Sequence, residues 1–154
     1  EGICEDLNHR LTSSKDHAEK FRDLIVAAGE DINARLFADF LALRGKKAVY
    51  ISPKEAGLIV TPAFGDAQPI DEIALRLASL KKICSENIVV FPGFFGVTKD
   101  GDVATFSRGG SDLTGSILAE ALDAIEYENW TDVDGIFCAN PTTVDNPVQI
   151  PALT

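Results

Sequence analysis

The chain has 154 residues, 45% of them apolar and 25% charged, the mix of a globular domain rather than of a disordered, collagen-like or disulfide-built chain. Its 14 basic residues against 24 acidic ones leave a formal charge of −10, which argues against a broad nucleic-acid or anionic-membrane surface, because phosphate-rich partners need basic patches. No run approaches the roughly 20 consecutive apolar residues of a membrane span, and the first residues carry no secretory signal pattern.

The opening residues read as a charged helical segment. Residues 14–28 place Ala18, Phe21, Leu24 and Ile25 at helical spacing, which predicts one buried face. Gly29 then interrupts the pattern. From Glu30 a second helix is expected, with Ile32, Leu36, Phe37, Phe40 and Leu41 as its stripe and Gly45 at the C-terminal cap. KAVYI (47–51) and GLIVT (57–61) are short, β-branched and bounded by Ser-Pro and Thr-Pro, so both read as strands. Residues 70–83 return to helix, with Ile73, Leu77 and Leu80 on one side.

NIVVFPGF (87–94) is the clearest strand, and its unbroken apolar run predicts burial on both faces, as in a parallel sheet. GVTKDGDVATF (96–106) reads as a hairpin around Asp100-Gly101. A helix is expected from about Leu113 to Ala124, a strand at YENWT (127–131), and a loop-rich tail over 132–151. Strands alternating with helices argue a single α/β domain: a three-layer α/β/α sandwich around a mostly parallel sheet.

Cys4, Cys84 and Cys138 are odd in number and far apart, so neither a disulfide framework nor a CxxC metal site follows from them. They are expected to be reduced, in or near the core. His9 and His17 have no ligand pattern around them and are expected at the surface, and no metal site is predicted. The chain opens at Glu1 without a methionine, contains none, and stops after a Pro-rich stretch, which reads as a piece of something longer.

In an open parallel sheet, ligands bind beyond the carboxyl ends of the strands, where glycine-rich turns admit them to the backbone. FPGFFG (91–96) and SRGGSD (107–112) fit that description. In the second, Gly109 and Gly110 supply backbone without Cβ atoms, and Ser111 or Asp112 is placed to cap the following helix. Exposed amides at a helix start attract anions, and Arg108 adds a fork suited to a carboxylate. Asp112 is placed to orient a lysine or a magnesium-bound phosphate. A plain loop with an N-cap and a solvent-exposed arginine accounts for the same residues.

FSRGGSDLTGSILAEAL (106–122) followed by WTDVDGIFCANP (130–141) resembles the aspartokinase branch of the amino acid kinase family, with the closest likeness to its lysine-sensitive, Bacillus-type members. AGEDINARLFADFL (28–41), TPAFGDA (61–67) and VVFPGFFG (89–96) resemble, in order, its Gly-Glu helix, its Phe-Gly-x-Ala loop and its Gly-Phe-x-Gly turn. The resemblance covers nearly the whole chain. It implies a cytosolic enzyme that phosphorylates the side-chain carboxylate of L-aspartate with ATP and Mg2+, the first step toward lysine, threonine and methionine, in a parent that is a homo-oligomer. Glu30 would bind the substrate ammonium; Arg108 would hold its α-carboxylate, framed by the backbone around Phe94 and the Ser111 hydroxyl; Asp112 would organise phosphoryl transfer. Packing alone also accounts for Phe94, and helix-start stabilisation for Glu30.

The same resemblance assigns Thr131 and Asp132 to the nucleotide pocket, followed by the Gly135 loop, with Phe137, Asn140 and Thr142 contributing contacts. Here the chain departs from the family, which often has Tyr at the position of Phe137 and Asp-Pro-Arg at 140–142. The lost hydroxyl removes one hydrogen bond of about 1 kcal/mol. Asp132 and Asp134 do not fit a calcium loop, since the spacing and the downstream glutamate are wrong. The family's N-terminal Lys-Phe-Gly-Gly-Ser segment, its second active-site lysine and its ACT domains have no counterpart in residues 1–154. The 154 residues are thus expected to form part of a catalytic domain and, alone, to show little kinase activity, because both charge-neutralising lysines are missing. Rival readings are a kinase of another carboxylate substrate within the family, and a non-catalytic subunit. A coupled steady-state assay on the bare chain checks the expectation; near-normal turnover contradicts it.

Overall fold

The computed structural model describes residues 2–70, 72–130, 135, 138–139, 143–148 and 150. In chain order the elements are α1 (Gly2–Thr12), α2 (Ala18–Leu43), β1 (Ala48–Tyr50), α3 (Pro53–Ala56), α4 (Ile73–Leu77), α5 (Leu80–Cys84), β2 (Ile88–Val90), β3 (Phe95–Val97), β4 (Val103–Thr105) and α6 (Gly110–Ala121). β1 and β2 pair in parallel, with Val49 opposite Val89. β3 and β4 form an antiparallel hairpin, with Gly96 opposite Ala104. The expected α/β architecture is present in incomplete form. Among the described residues its sheet is two short sheets, β1–β2 parallel and β3–β4 antiparallel. α2 packs on β1, β2 and β4, while α6 packs on β3 and α4.

The helix predicted to break at Gly29 is continuous for 26 residues. A mid-helix glycine costs about 1 kcal/mol relative to alanine, too little to end a helix held by packing along its length. Its C-terminus closes as expected: the Gly45 N–H donates to the Ala42 carbonyl and the Lys46 N–H to that of Leu41, a Schellman pair. The buried face differs from the predicted stripe. Leu36, Phe37 and Phe40 are about half exposed, whereas Ala27, Ala34 and Ala38 are buried together with Asp23 and Asp31. These five positions repeat at helical spacing, and their small side chains let β1 and β4 lie close to the helix axis.

GLIVT forms only bridges, Ile59 with Val97 and Val60 with Pro69, rather than a full strand. The predicted 70–83 helix divides into α4 and α5. At the break the Ser79 hydroxyl donates to the Arg76 carbonyl and Lys81 N–H bonds back only three residues, to Ala78. Leu77 and Leu80 nonetheless face the core as predicted. β2 pairs in parallel, yet Ile88 is half exposed, because two strands alone cannot cover both faces. The hairpin turns at Gly101, φ 91°, as its Asp-Gly pair predicts. α6 begins at Gly110, three residues before the expected start, and no strand forms over residues 127–130. His9 and His17 are at the surface. All three cysteines are exposed, against the expectation of core positions, since alanine, leucine and phenylalanine fill the core instead. Among the described residues no helix is long and apolar enough to cross a membrane.

The main apolar core gathers Leu58, Val60, Leu77, Leu80, Phe106 and Ile117 between the hairpin, α4, α5 and α6. On α2 a buried polar cluster does comparable work. Asp31, 2% exposed, accepts from the guanidinium groups of Arg10 and Arg35 and from the Tyr50 hydroxyl, tying α1 and β1 to one point on the helix. Burial first, and then the bond to Asp31, push the Tyr50 hydroxyl well above its ordinary pKa, so it stays a donor at working pH. Removing Asp31 leaves the mostly buried guanidinium of Arg10 with only the part-exposed Asp6 carboxylate opposite it. Asp31→Ala should therefore cost about 3–5 kcal/mol, read as a lower denaturant midpoint in urea melting; a loss under 1 kcal/mol contradicts the cluster's role.

Candidate functional site

The site grows from the turn between β4 and α6. Phe106 leaves β4 buried, and its N–H donates to the Phe94 carbonyl at 2.8 Å. The chain then turns through Ser107, whose carbonyl accepts from Gly110 N–H at 3.1 Å, and enters α6 from Gly109. Gly109 is the N-cap, with φ 82°, a left-handed backbone that favours glycine. Neither Ser111 nor Asp112 caps the helix as predicted. The early start places both inside the first turn, and no side chain caps the helix. With the Gly110 N–H held by Ser107, the amides of Ser111 and Asp112 are those that no side chain caps.

Phe94 is placed by the same turn. It sits at φ 78°, unusual for a residue with a bulky side chain, and its N–H donates to the Thr114 hydroxyl at 3.1 Å. Thr114, 2% exposed, passes the bond on to the Gly110 carbonyl at 2.9 Å. A Cβ at Gly110 would lie 2.6 Å from Phe106 Cβ and 3.1 Å from the Phe94 ring, so the approach of these segments depends on its absence.

Opposite this corner runs α2. Val26, Gly29 and Glu30 on the helix face Phe94, Gly109, Gly110 and Ser111 across a cleft of about 330 Å³. The two walls have opposite character: an exposed carboxylate on α2, and the positive end of α6 with a serine hydroxyl. That polarity suits a small zwitterion, its ammonium toward Glu30 and its carboxylate toward α6.

Three of the predicted substrate residues, Glu30, Phe94 and Ser111, therefore share one cleft. Arg108 and Asp112 flank it in sequence without lining it. Arg108 is exposed and pairs with no carboxylate among the described residues. Asp112 accepts from Asn129 Nδ2 at 3.1 Å. Thr131, Asp132, Phe137, Asn140 and Thr142, predicted for the nucleotide, lie outside the described residues. Among the described residues no group of three or more His, Cys, Asp or Glu side chains is arranged to hold a metal. Sequence reasoning missed Thr114 and Gly29. Thr114 lies four residues after Gly110, a spacing at which a threonine hydroxyl can bond a helix carbonyl; the role of Gly29 as open cleft wall was not legible, because it depends on what stands across from it.

The profile of the amino acid kinase family matches residues 2–154. The chain is 48% identical, over all of its length, to "Aspartokinase 3" of Bacillus subtilis, of which it covers 34%. It is 42% identical over 125 residues, 80% of the chain, to the "Aspartokinase" of Mycolicibacterium smegmatis, of which it covers 29%. Among solved structures, E. coli aspartokinase III in complex with aspartate and ADP superposes with a TM-score of 0.78 at 30% identity, covering 97% of this chain and 34% of that one. The aspartate kinase of Clostridium acetobutylicum gives a TM-score of 0.62 at 35% identity, covering 94% of this chain and 30% of that one. The chain thus spans about a third of the length of the relatives it matches.

Gly110→Ala should press a methyl group into Phe106 and Phe94. The expected cost is about 1–3 kcal/mol of stability, visible by thermal melting; an unchanged melting temperature would mean the corner is looser than its packing indicates.

Proposed function

This chain belongs to the amino acid kinase family, and we propose that its protein is an ATP-dependent kinase of the side-chain carboxylate of L-aspartate. The products are 4-phospho-L-aspartate and ADP. The observation that carries this reading is the bipolar cleft: Glu30 on one wall, the open start of α6 with Ser111 on the other. The names of the relatives, aspartokinases each, and the aspartate and ADP bound by the E. coli structure point the same way.

In this reading Glu30 pairs with the ammonium of aspartate. Arg108, free of carboxylate partners among the described residues, swings over the turn to its α-carboxylate. Ser111 and the backbone around Phe94 frame that end of the substrate. The β-carboxylate is already ionised at neutral pH and needs no general base. Its oxygen attacks the γ-phosphorus of ATP in line, the new O–P bond forms, and the bond to the β-phosphate oxygen breaks with its electrons leaving on ADP. Asp112, at the start of α6, sets the geometry of the transferred group. Magnesium would enter with the nucleotide phosphates, and Thr131, Asp132, Phe137, Asn140 and Thr142 would line the nucleotide pocket. Residues 1–154 would be part of the catalytic domain of a cytosolic homo-oligomer that performs the first step toward lysine, threonine and methionine.

Hydrogen bonds to charged groups contribute about 1.5–3 kcal/mol each, so Glu30→Gln and Arg108→Ala should each weaken L-aspartate binding about 10- to 100-fold in the full-length protein. ATP affinity should stay within about twofold in both. Isothermal titration with each ligand, and with L-glutamate, is the test. Loss of ATP binding with aspartate binding intact would exchange the two pockets, and preference for L-glutamate would transfer the assignment to another member of the family.

A further inference from the structure

We infer that Asp23 is the positioning residue that sets the span of the aspartate cleft, an inference that rests on the proposed function. Asp23 is 1% exposed, in the second turn of α2. Its Oδ2 accepts from two backbone N–H groups far away in sequence, Gly65 and Thr105, each at 2.7 Å. Its Oδ1 accepts from Arg22 Nη2 at 3.0 Å, on an arginine whose side chain is 56% exposed.

Two chains of contact leave this carboxylate, and each ends at one wall of the cleft. Along α2, Glu30 lies seven residues on. That is about two turns, or ~10.5 Å, so it projects from nearly the same face of the helix. Along the hairpin, Thr105 pairs with Phe95 and precedes Phe106, whose N–H holds the Phe94 carbonyl and whose Cβ abuts Gly110. The distance from Glu30 to the head of α6 is therefore set where Asp23 meets the Thr105 amide. Burying a carboxylate beside one half-exposed cation is not the most stable way to join a helix to a strand, since an apolar residue of similar volume usually does as well or better. An apolar contact, however, slides. Two short bonds to fixed amides do not.

The test is steady-state kinetics on the full-length protein with Asp23→Leu, Asp23→Glu and Asp23→Asn, alongside Glu30→Gln. Leu removes the acceptor, and Glu keeps it but lengthens the reach by one methylene. Both should raise the KM for L-aspartate at least tenfold while the KM for ATP stays within twofold. Asn keeps one oxygen for both amides and should restore the aspartate KM to within threefold of the parent. If Leu does not fold, the Glu and Asn pair decides. A merely structural role predicts fewer active molecules, a lower kcat and two unchanged KM values; that result, or a parallel rise of both KM values, overturns the inference. Should Glu30→Gln leave the aspartate KM unmoved, the functional reading falls and this inference with it. If Glu30→Gln raises that KM and Asp23→Glu does not, only the positioning role is lost.

Discussion

The structure depends on the close approach of α2 to the strands beneath it. Ala27, Ala34 and Ala38 form a seam without bulk, and the strands settle against the helix backbone rather than against a layer of large side chains. At such short range, polar side chains on the same face reach strand and loop backbone directly. Asp23 accepts from the Gly65 and Thr105 amides, while Asp31 accepts from the Tyr50 hydroxyl at the end of its side chain. A Leu or Phe seam would hold the strands further off and put those bonds out of reach. Small residues and buried carboxylates on α2 are thus two parts of one arrangement.

The same approach makes the cleft. Because α2 runs unbroken through Gly29, Glu30 is held by a rigid helix rather than by the end of one. The opposing wall is equally constrained: Phe94 is pinned by Thr114 and Phe106, and α6 starts at a left-handed glycine with no side chain capping its first turn. A negative group and a positive helix end then face each other across a space sized for a small molecule. Holding polar groups apart in fixed orientation carries a cost in stability that a purely apolar contact would avoid, and this is the usual condition of binding sites.

Local chemistry in the chain was readable where a single residue type has one dominant physical use. Asp100-Gly101 marks a hairpin turn because the backbone there needs φ above zero, and the hairpin is present. Glu30, Phe94 and Ser111, which the family resemblance names together, line one cleft, whereas the cap expected from Ser111 or Asp112 does not form. Signals with several uses misled. Gly29 reads as a helix break by propensity, yet packing along α2 outweighs its small cost. The Phe and Leu residues of α2 read as the buried stripe, yet they are half exposed. Cysteine reads as a core residue by frequency, yet all three are exposed.

What the amino-acid order determined by itself is the set of local instructions: alternating helices and strands, glycines at their turns, and a family pattern that names candidate residues. What only the tertiary structure decided is which face of α2 turns inward. Both the large apolar residues and the alanines of that helix recur at helical spacing, so periodicity permits either. The choice falls to the strands, where the Thr105 amide comes near enough to bond Asp23 only against the smaller face. Distance between elements is a property of the packed molecule, and no pattern along one helix contains it.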